Sequence, residues 1–212
     1  MALTYLHAVA SLDGFIAADD DDVGPLHDWY FDGDHPLEVE DHPEVHSGPF
    51  RVSAASVDYV SGMWSRQRAL VIGRRLFDLS NGWEGHPPAS EHVVVVSHRA
   101  KPDGWHPEAS YHFVDSVERA VALAQELAGD GEVGVTAGDI GGQALALGLI
   151  DYVAMDLVPA VFGSGKRYFG SFTGGPLVLD DPDIVIPGER VLHLRYPVRR
   201  GPAAQSTDQE ES

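Results

Sequence analysis

The chain has 212 residues, 43% hydrophobic and 22% charged, enough apolar material for one domain with a full core. It has no cysteine, which excludes a disulfide framework, thiolate metal sites, iron–sulfur clusters and a thiol nucleophile. Fourteen Lys and Arg against 33 Asp and Glu give a net charge of −19, which argues against nucleic-acid and membrane-surface partners. A small-molecule substrate is the expected partner, and any anion on it must meet a local cluster of positive groups. Residues 1–10 lack the basic start of a signal peptide, and the most apolar long stretch, 143–162, carries Asp151, Asp156 and Pro159. A cytoplasmic location is expected.

In chain order, residues 3–10 read as a short apolar strand. Residues 1–50 hold 12 acids and no Lys or Arg, and 18–50 read as a long acidic loop insertion broken by Gly24, Pro25, Gly33, Pro36 and Pro43. Leu26, Trp29, Tyr30 and Phe31 argue that part of this loop is ordered. Helical spacing follows over 52–64, a strand over 68–72 and a short helix over 74–79. Val93, Val94, Val95 and Val96 predict a strand covered on both faces, as in a parallel sheet. A strand at 111–114 leads through Asp115 or Ser116, as N-cap, into an amphipathic helix over 117–128 that ends at Gly129 and Gly131. A strand at 132–136, a small-residue helix at 140–149 and a strand at 152–159 come next. Residues 177–186 and 190–196, joined at Pro187-Gly188, read as an antiparallel pair. The alternation gives a single α/β domain over 1–200 with a mixed, mostly parallel sheet and helices on both faces, and 201–212 as a disordered tail.

Four segments place Gly, Ser or Arg directly after a predicted strand, where open α/β sheets bind ligands. They are Ala10-Ser11-Leu12-Asp13-Gly14-Phe15-Ile16-Ala17, Gly73-Arg74-Arg75, Ser97-His98-Arg99, and Gly138-Asp139-Ile140-Gly141-Gly142-Gln143. The second and third offer cations to an anion. The fourth offers glycines and helix amides to a pyrophosphate, although close helix packing would also use those glycines. Neither a Walker A loop nor a G-x-S-x-G elbow is present, because Lys166 is followed by Arg167 and position 160 is Ala. The 11 histidines, among them His27, His35, His42 and His46, show no metal-ligand spacing, and no metal site is expected.

Together these segments, with Gly148-Leu149-Ile150-Asp151, Val158-Pro159 and Phe162-Gly163-Ser164-Gly165, resemble the dihydrofolate reductase-like family over about residues 3–196. The nearer branch contains the reductase domain of riboflavin biosynthesis. The resemblance implies an eight-stranded sheet, NADPH as hydride donor, and a small heterocyclic (pterin- or pyrimidine-like) or carbonyl substrate. It implies that Ala10 and Ile16 line the nicotinamide. Gly73, Arg74, Arg75, Ser97, His98 and Arg99 would hold the adenosine end and its 2′-phosphate. Gly138, Asp139, Ile140, Gly141, Gly142 and Gln143 would cradle the pyrophosphate. The family's acid on the helix before the Gly-Arg strand end corresponds to Asp58, with Asp13 as an alternative catalytic group. Trp29 would close over a flat substrate, with Phe162 and Lys166 facing the same cleft. Relatives are often homodimers, and the C-terminal hairpin would supply such an interface. Two departures stand out: Ala137-Gly138 replaces the usual Gly-Gly, where the family often has a cis peptide, and the acidic loop is extra. The competing readings are a non-catalytic nucleotide-binding or partner protein on the same fold, and a metal-dependent activity at the His/Asp-rich loop.

Overall fold

The valine run forms β6 (His92–Val96), and Val93, Val94 and Val95 are fully buried. Val94 packs with one apolar cluster and Val93 and Val95 with another, so the strand is covered on both faces. The structure, a computed structural model, describes residues 2–37 and 50–199. The expected tail at 201–212 and most of the acidic loop beyond residue 37 lie outside the described residues.

Five more strands run parallel to β6: β1 (Thr4–Ser11), β5 (Gln67–Gly73), β7 (Tyr111–Val114), β8 (Glu132–Thr136) and β9 (Tyr152–Val158). A hairpin of β11 (Ile184–Pro187) and β12 (Leu192–Pro197) completes the sheet, in the order β11-β12-β9-β1-β8-β5-β6-β7. Four strands of two or three residues sit outside it: β2 (Phe15–Ala17) pairs with β10 (Lys166–Arg167), and β3 (His35–Pro36) with β4 (Arg51–Val52).

One face of the sheet packs on α3 (Val117–Ala128) and α4 (Asp139–Ala146), through Leu6, Ala10, Val71, Val94 and Val135. Ser116 caps α3, its hydroxyl accepting from the Arg119 amide at 3.3 Å. The other face packs on α1 (Ala54–Arg66) and on the 3-10 segment Gly24–Tyr30. The short helix α2 (Arg74–Leu79) follows β5 directly. No helix among the described residues is long and apolar enough to cross a membrane.

Two expectations need correction. The strand expected from residue 177 begins only at Ile184. Asp180, Asp181, Pro182 and Asp183 intervene, and proline has no amide to give a ladder. Gly141 and Gly142 are packing positions, not rim positions: both are buried. A Cβ at Gly141 would meet the Leu6 side chain and the Thr136 carbonyl, and one at Gly142 the Phe169 carbonyl. Gly142→Ala is therefore expected to cost about 1–3 kcal/mol of stability. Its urea unfolding midpoint should fall, with the slope of the transition unchanged.

Candidate functional site

The carboxyl ends of the six parallel strands form one rim, and the glycine-bearing turns meet there. Ile16, after β1, approaches within 3.5 Å of a Cβ placed on Gly138. Ile140, in the first turn of α4, approaches within 3.1 Å of one placed on Gly73. Arg74 donates to the Ala100 carbonyl at 3.2 Å, which joins the turns after β5 and β6. Gly138 has φ +92°, a conformation that glycine adopts freely, and donates to the Tyr168 carbonyl at 2.7 Å. No cis peptide occurs among the described residues, so the Ala137-Gly138 bond is trans.

The sheet opens at this rim. β1 pairs with β8 only from Thr4 to His7, but with β9 as far as Ser11. The Leu3 and His7 carbonyls accept from Val133 and Ala137 of the β8 side. By the same alternation Val9 is the next residue of β1 to face that side, and there β8 has already turned away at Gly138. A slit thus begins immediately after His7, with Gly138 and Ile16 at its mouth. Ala10 is fully buried in the core, which corrects its assignment as a lining side chain.

Beside the slit lies a shallow depression of about 420 Å³, lined by Arg74, Arg75, Asp78, Leu79 and Arg99. Arg74 is mostly buried, lies over the rings of Phe77 and Phe113 at 5.4 and 5.9 Å, and reaches Asp78 at 2.7 Å. It is a packing group as much as a cation. Arg99 also reaches Asp78, at 2.8 Å. Desolvation opposes ionisation of Asp78, but the bonds from Arg74 and Arg99 outweigh it and lower its pKa. Arg75 is exposed and forks onto Asp21, with Nε at 2.8 Å from Oδ1 and Nη2 on Oδ2; these bonds hold the Asp21 carboxyl low. Lys166 lies 3.9 Å from Asp21 and donates to the Asp19 carbonyl at 3.0 Å, so it belongs to this cationic edge. The Ser97 hydroxyl is engaged with Arg99 backbone at 2.7 and 2.9 Å, and His98 is exposed. Asp139 accepts from the Ser171 amide and hydroxyl, both at 3.0 Å, and Gln143 is exposed.

The expected catalytic acids are placed elsewhere. Asp58 is exposed on α1, whose inward residues are Ser56, Val60 and Met63. Asp13 is a clamp: it accepts from Ser11 Oγ at 2.6 Å, Gly163 N at 2.7 Å and Phe162 N at 3.1 Å. The Ser11 hydroxyl and those amides hold its carboxyl low. Trp29 is not a lid. It is 4% exposed and packs with Val9, Val60, Val158 and Val191, stacked on Tyr30. Phe162 leans on the start of the same 3-10 segment, 3.4 Å from a Cβ placed on Gly24.

Sequence patterning missed a buried polar chain under α1. Asp156 of β9 is fully buried, with His7 Nε2 at 2.9 Å from Oδ2 and His193 Nδ1 at 2.6 Å from Oδ1. His193 Nε2 lies 2.9 Å from Ser56 Oγ. Burial works to raise the Asp156 carboxyl, but the two imidazoles overcome it and hold it at about 2. The available signal was a polar residue at the inward position of three apolar strands. Among the described residues no three His, Asp or Glu are grouped to hold a metal; His42 and His46 lie outside them. A larger depression, about 640 Å³ and lined by Arg66, Arg68 and Gly129 among others, lies at the amino ends of the strands, away from every glycine turn described above.

Neither a protein-family description nor a curated protein matches this chain. Solved structures do. A protein of Shewanella sp. PV-4 named for riboflavin biosynthesis superposes with a TM-score of 0.66 and 21% identity, over 94% of this chain and 100% of that one. Dihydrofolate reductase from Enterococcus faecalis, solved with NADP(H), gives 0.53 and 14%, over 93% and 97%. The fold is dihydrofolate reductase-like. The deaminase/5-amino-6-(5-phosphoribosylamino)uracil reductase of Thermotoga maritima gives 0.58 and 14%, and this chain spans 57% of its length.

The depressed carboxyl of Asp156 has a consequence for stability. A group with a lowered folded-state pKa stabilises the fold above its unfolded value, and that stability is lost as pH falls through the folded value. Between about pH 4 and pH 2 the native protein should lose about 2 kcal/mol that Asp156→Asn does not lose. Urea unfolding of both proteins across that range measures it.

Proposed function

We propose that this protein is an NADPH-dependent reductase of a small heterocyclic (pterin- or pyrimidine-like) or carbonyl compound. The observation that carries the proposal is the opening between β1 and β8 beside a cationic depression, in a body of net charge −19. The residues present suit the dinucleotide. Arg75, Arg99 and Lys166 would hold the 2′-phosphate end, Gly138 and the first turn of α4 would face the pyrophosphate, and the slit beside Val9 would take the nicotinamide. The cofactor supplies a hydride when bound. The protein's part is to orient the ring against β1 and to keep the substrate on the α1 side of the sheet, against Val9, Val158 and Phe162. The shared fold with reductases supports this reading.

NADPH at a hundred times its dissociation constant should add roughly 2.7 kcal/mol of stability, seen as a thermal shift. No shift at millimolar NADPH would contradict the proposal. Arg75→Ala should weaken NADPH by about 2 kcal/mol, tenfold or more, and NADH much less. Equal losses for the two cofactors in fluorescence titration would remove Arg75 from the 2′-phosphate seat. Asp21→Asn should strengthen NADPH binding, because the 2′-phosphate no longer has to displace an internal carboxylate from Arg75.

A further inference from the structure

The polar chain from His7 to Ser56 is too completely buried to be incidental, and the slit does not explain it. Ser56, Asp156 and His193 are fully buried, and an aspartate is almost never so placed unless its charge is met. The order Ser56, His193, Asp156 matches a nucleophile, base and orienting acid. Yet Ser56 is sealed from solvent and cannot attack an external group. The chain's open end is the second imidazole. His7 holds the other oxygen of Asp156 through Nε2 at 2.9 Å, and its side chain remains 19% exposed. Its Nδ1 has no hydrogen-bond partner among the described residues. His7 is also the last residue of β1 that β8 pairs with, so it stands at the root of the slit. Two further donors near this chain lack partners among the described residues: Trp29 Nε1, whose ring lies 5.2 Å from that of His193, and the Tyr59 hydroxyl, whose ring lies 4.5 Å from it.

Resting on the reductase reading, we infer that His7 is the proton donor of the site and that Asp156, His193 and Ser56 are positioning residues that hold it. When bound, the cofactor would supply the hydride to one atom of a C=N or C=O bond and leave oxidised. His7 would deliver a proton from Nδ1 to the nitrogen or oxygen that takes the electron pair, and solvent would return that proton to the imidazole. This replaces the helix acid expected at Asp58. The titratable groups that face His7 are Asp156 from β9, His193 from β12 across that carboxylate, His27 from the 3-10 segment and Tyr5 on β1 at 6.3 Å between rings; Tyr30 and Tyr59 lie close enough to Asp156 to feel its charge. The surrounding protein and, after it, His7 push the His27 imidazole down; burial and then Asp156 push both tyrosines up.

The experiment has two arms. In the first, ¹⁵N NMR of the histidine rings is recorded from pH 5 to 9 on the full chain without substrate, for the native protein and Asp156→Asn. The His7 Nε2 signal should report the hydrogen bond to the Asp156 carboxylate in the native protein and should shift in Asp156→Asn, where that bond is lost. A His7 Nε2 signal that is identical in both proteins overturns the inference. In the second, NADPH oxidation is followed with 7,8-dihydrofolate, an aminouracil and a dicarbonyl as probes. His7→Asn should lower kcat a hundredfold or more and flatten the alkaline limb, with NADPH affinity unchanged. His7→Gln serves if His7→Asn does not fold. Turnover that keeps its pH profile in these variants also overturns the inference. Failure of the native protein to bind NADPH would overturn the reductase reading instead, and the first arm would still decide the state of His7.

Discussion

Six parallel strands bring their carboxyl ends to one rim, and β1 and β8 part there after only four paired positions, Thr4 to His7. Backbone amides and carbonyls in a sheet must find partners, so a ladder that stops at the surface leaves groups that a ligand or water must meet. The separation has a local cause. Gly138 takes up a left-handed turn and bonds to Tyr168, which drags the chain off β1 and starts α4. The close seat of α4 against Leu6 and Phe169, possible only for glycines at 141 and 142, then fixes the gap.

Beside that gap lie four of the 14 Lys and Arg, namely Arg74, Arg75, Arg99 and Lys166. In a body of net charge −19 they offer an anion local partners. Each of these cations is held by internal carboxylates or carbonyls, which keeps the seat ordered. Asp21 of the acidic segment therefore has a place in the fold: its carboxylate pairs with Arg75, while its neighbours Asp19, Asp20 and Asp22 are exposed.

Much of this was legible in the sequence. Four consecutive valines specify a strand covered on both sides, Ser116 and Gly129 bound α3, and the strand-end glycines and arginines mark the rim. What patterning could not show depends on which face a residue takes. Gly138 and Gly141 look alike in sequence, yet one opens the rim and the other admits a leucine. Trp29 lies in an acidic loop and was expected to order part of it and to cover a flat substrate; its large apolar area is instead buried against Val9, Val60, Val158 and Val191. Asp58 lies two residues from Ser56, and helical geometry puts only one of them inside. His7, Asp156 and His193 are far apart in sequence and meet because β1, β9 and β12 are neighbours in the sheet. Spacing along the chain carries no trace of that meeting.

The most direct measurement is a crystal structure of the full chain grown with NADPH. The account places the nicotinamide in the slit beside Val9 and Gly138, with the 2′-phosphate on Arg75. Density for the cofactor in the depression at the opposite end of the strands, against Arg66 and Arg68, would contradict it.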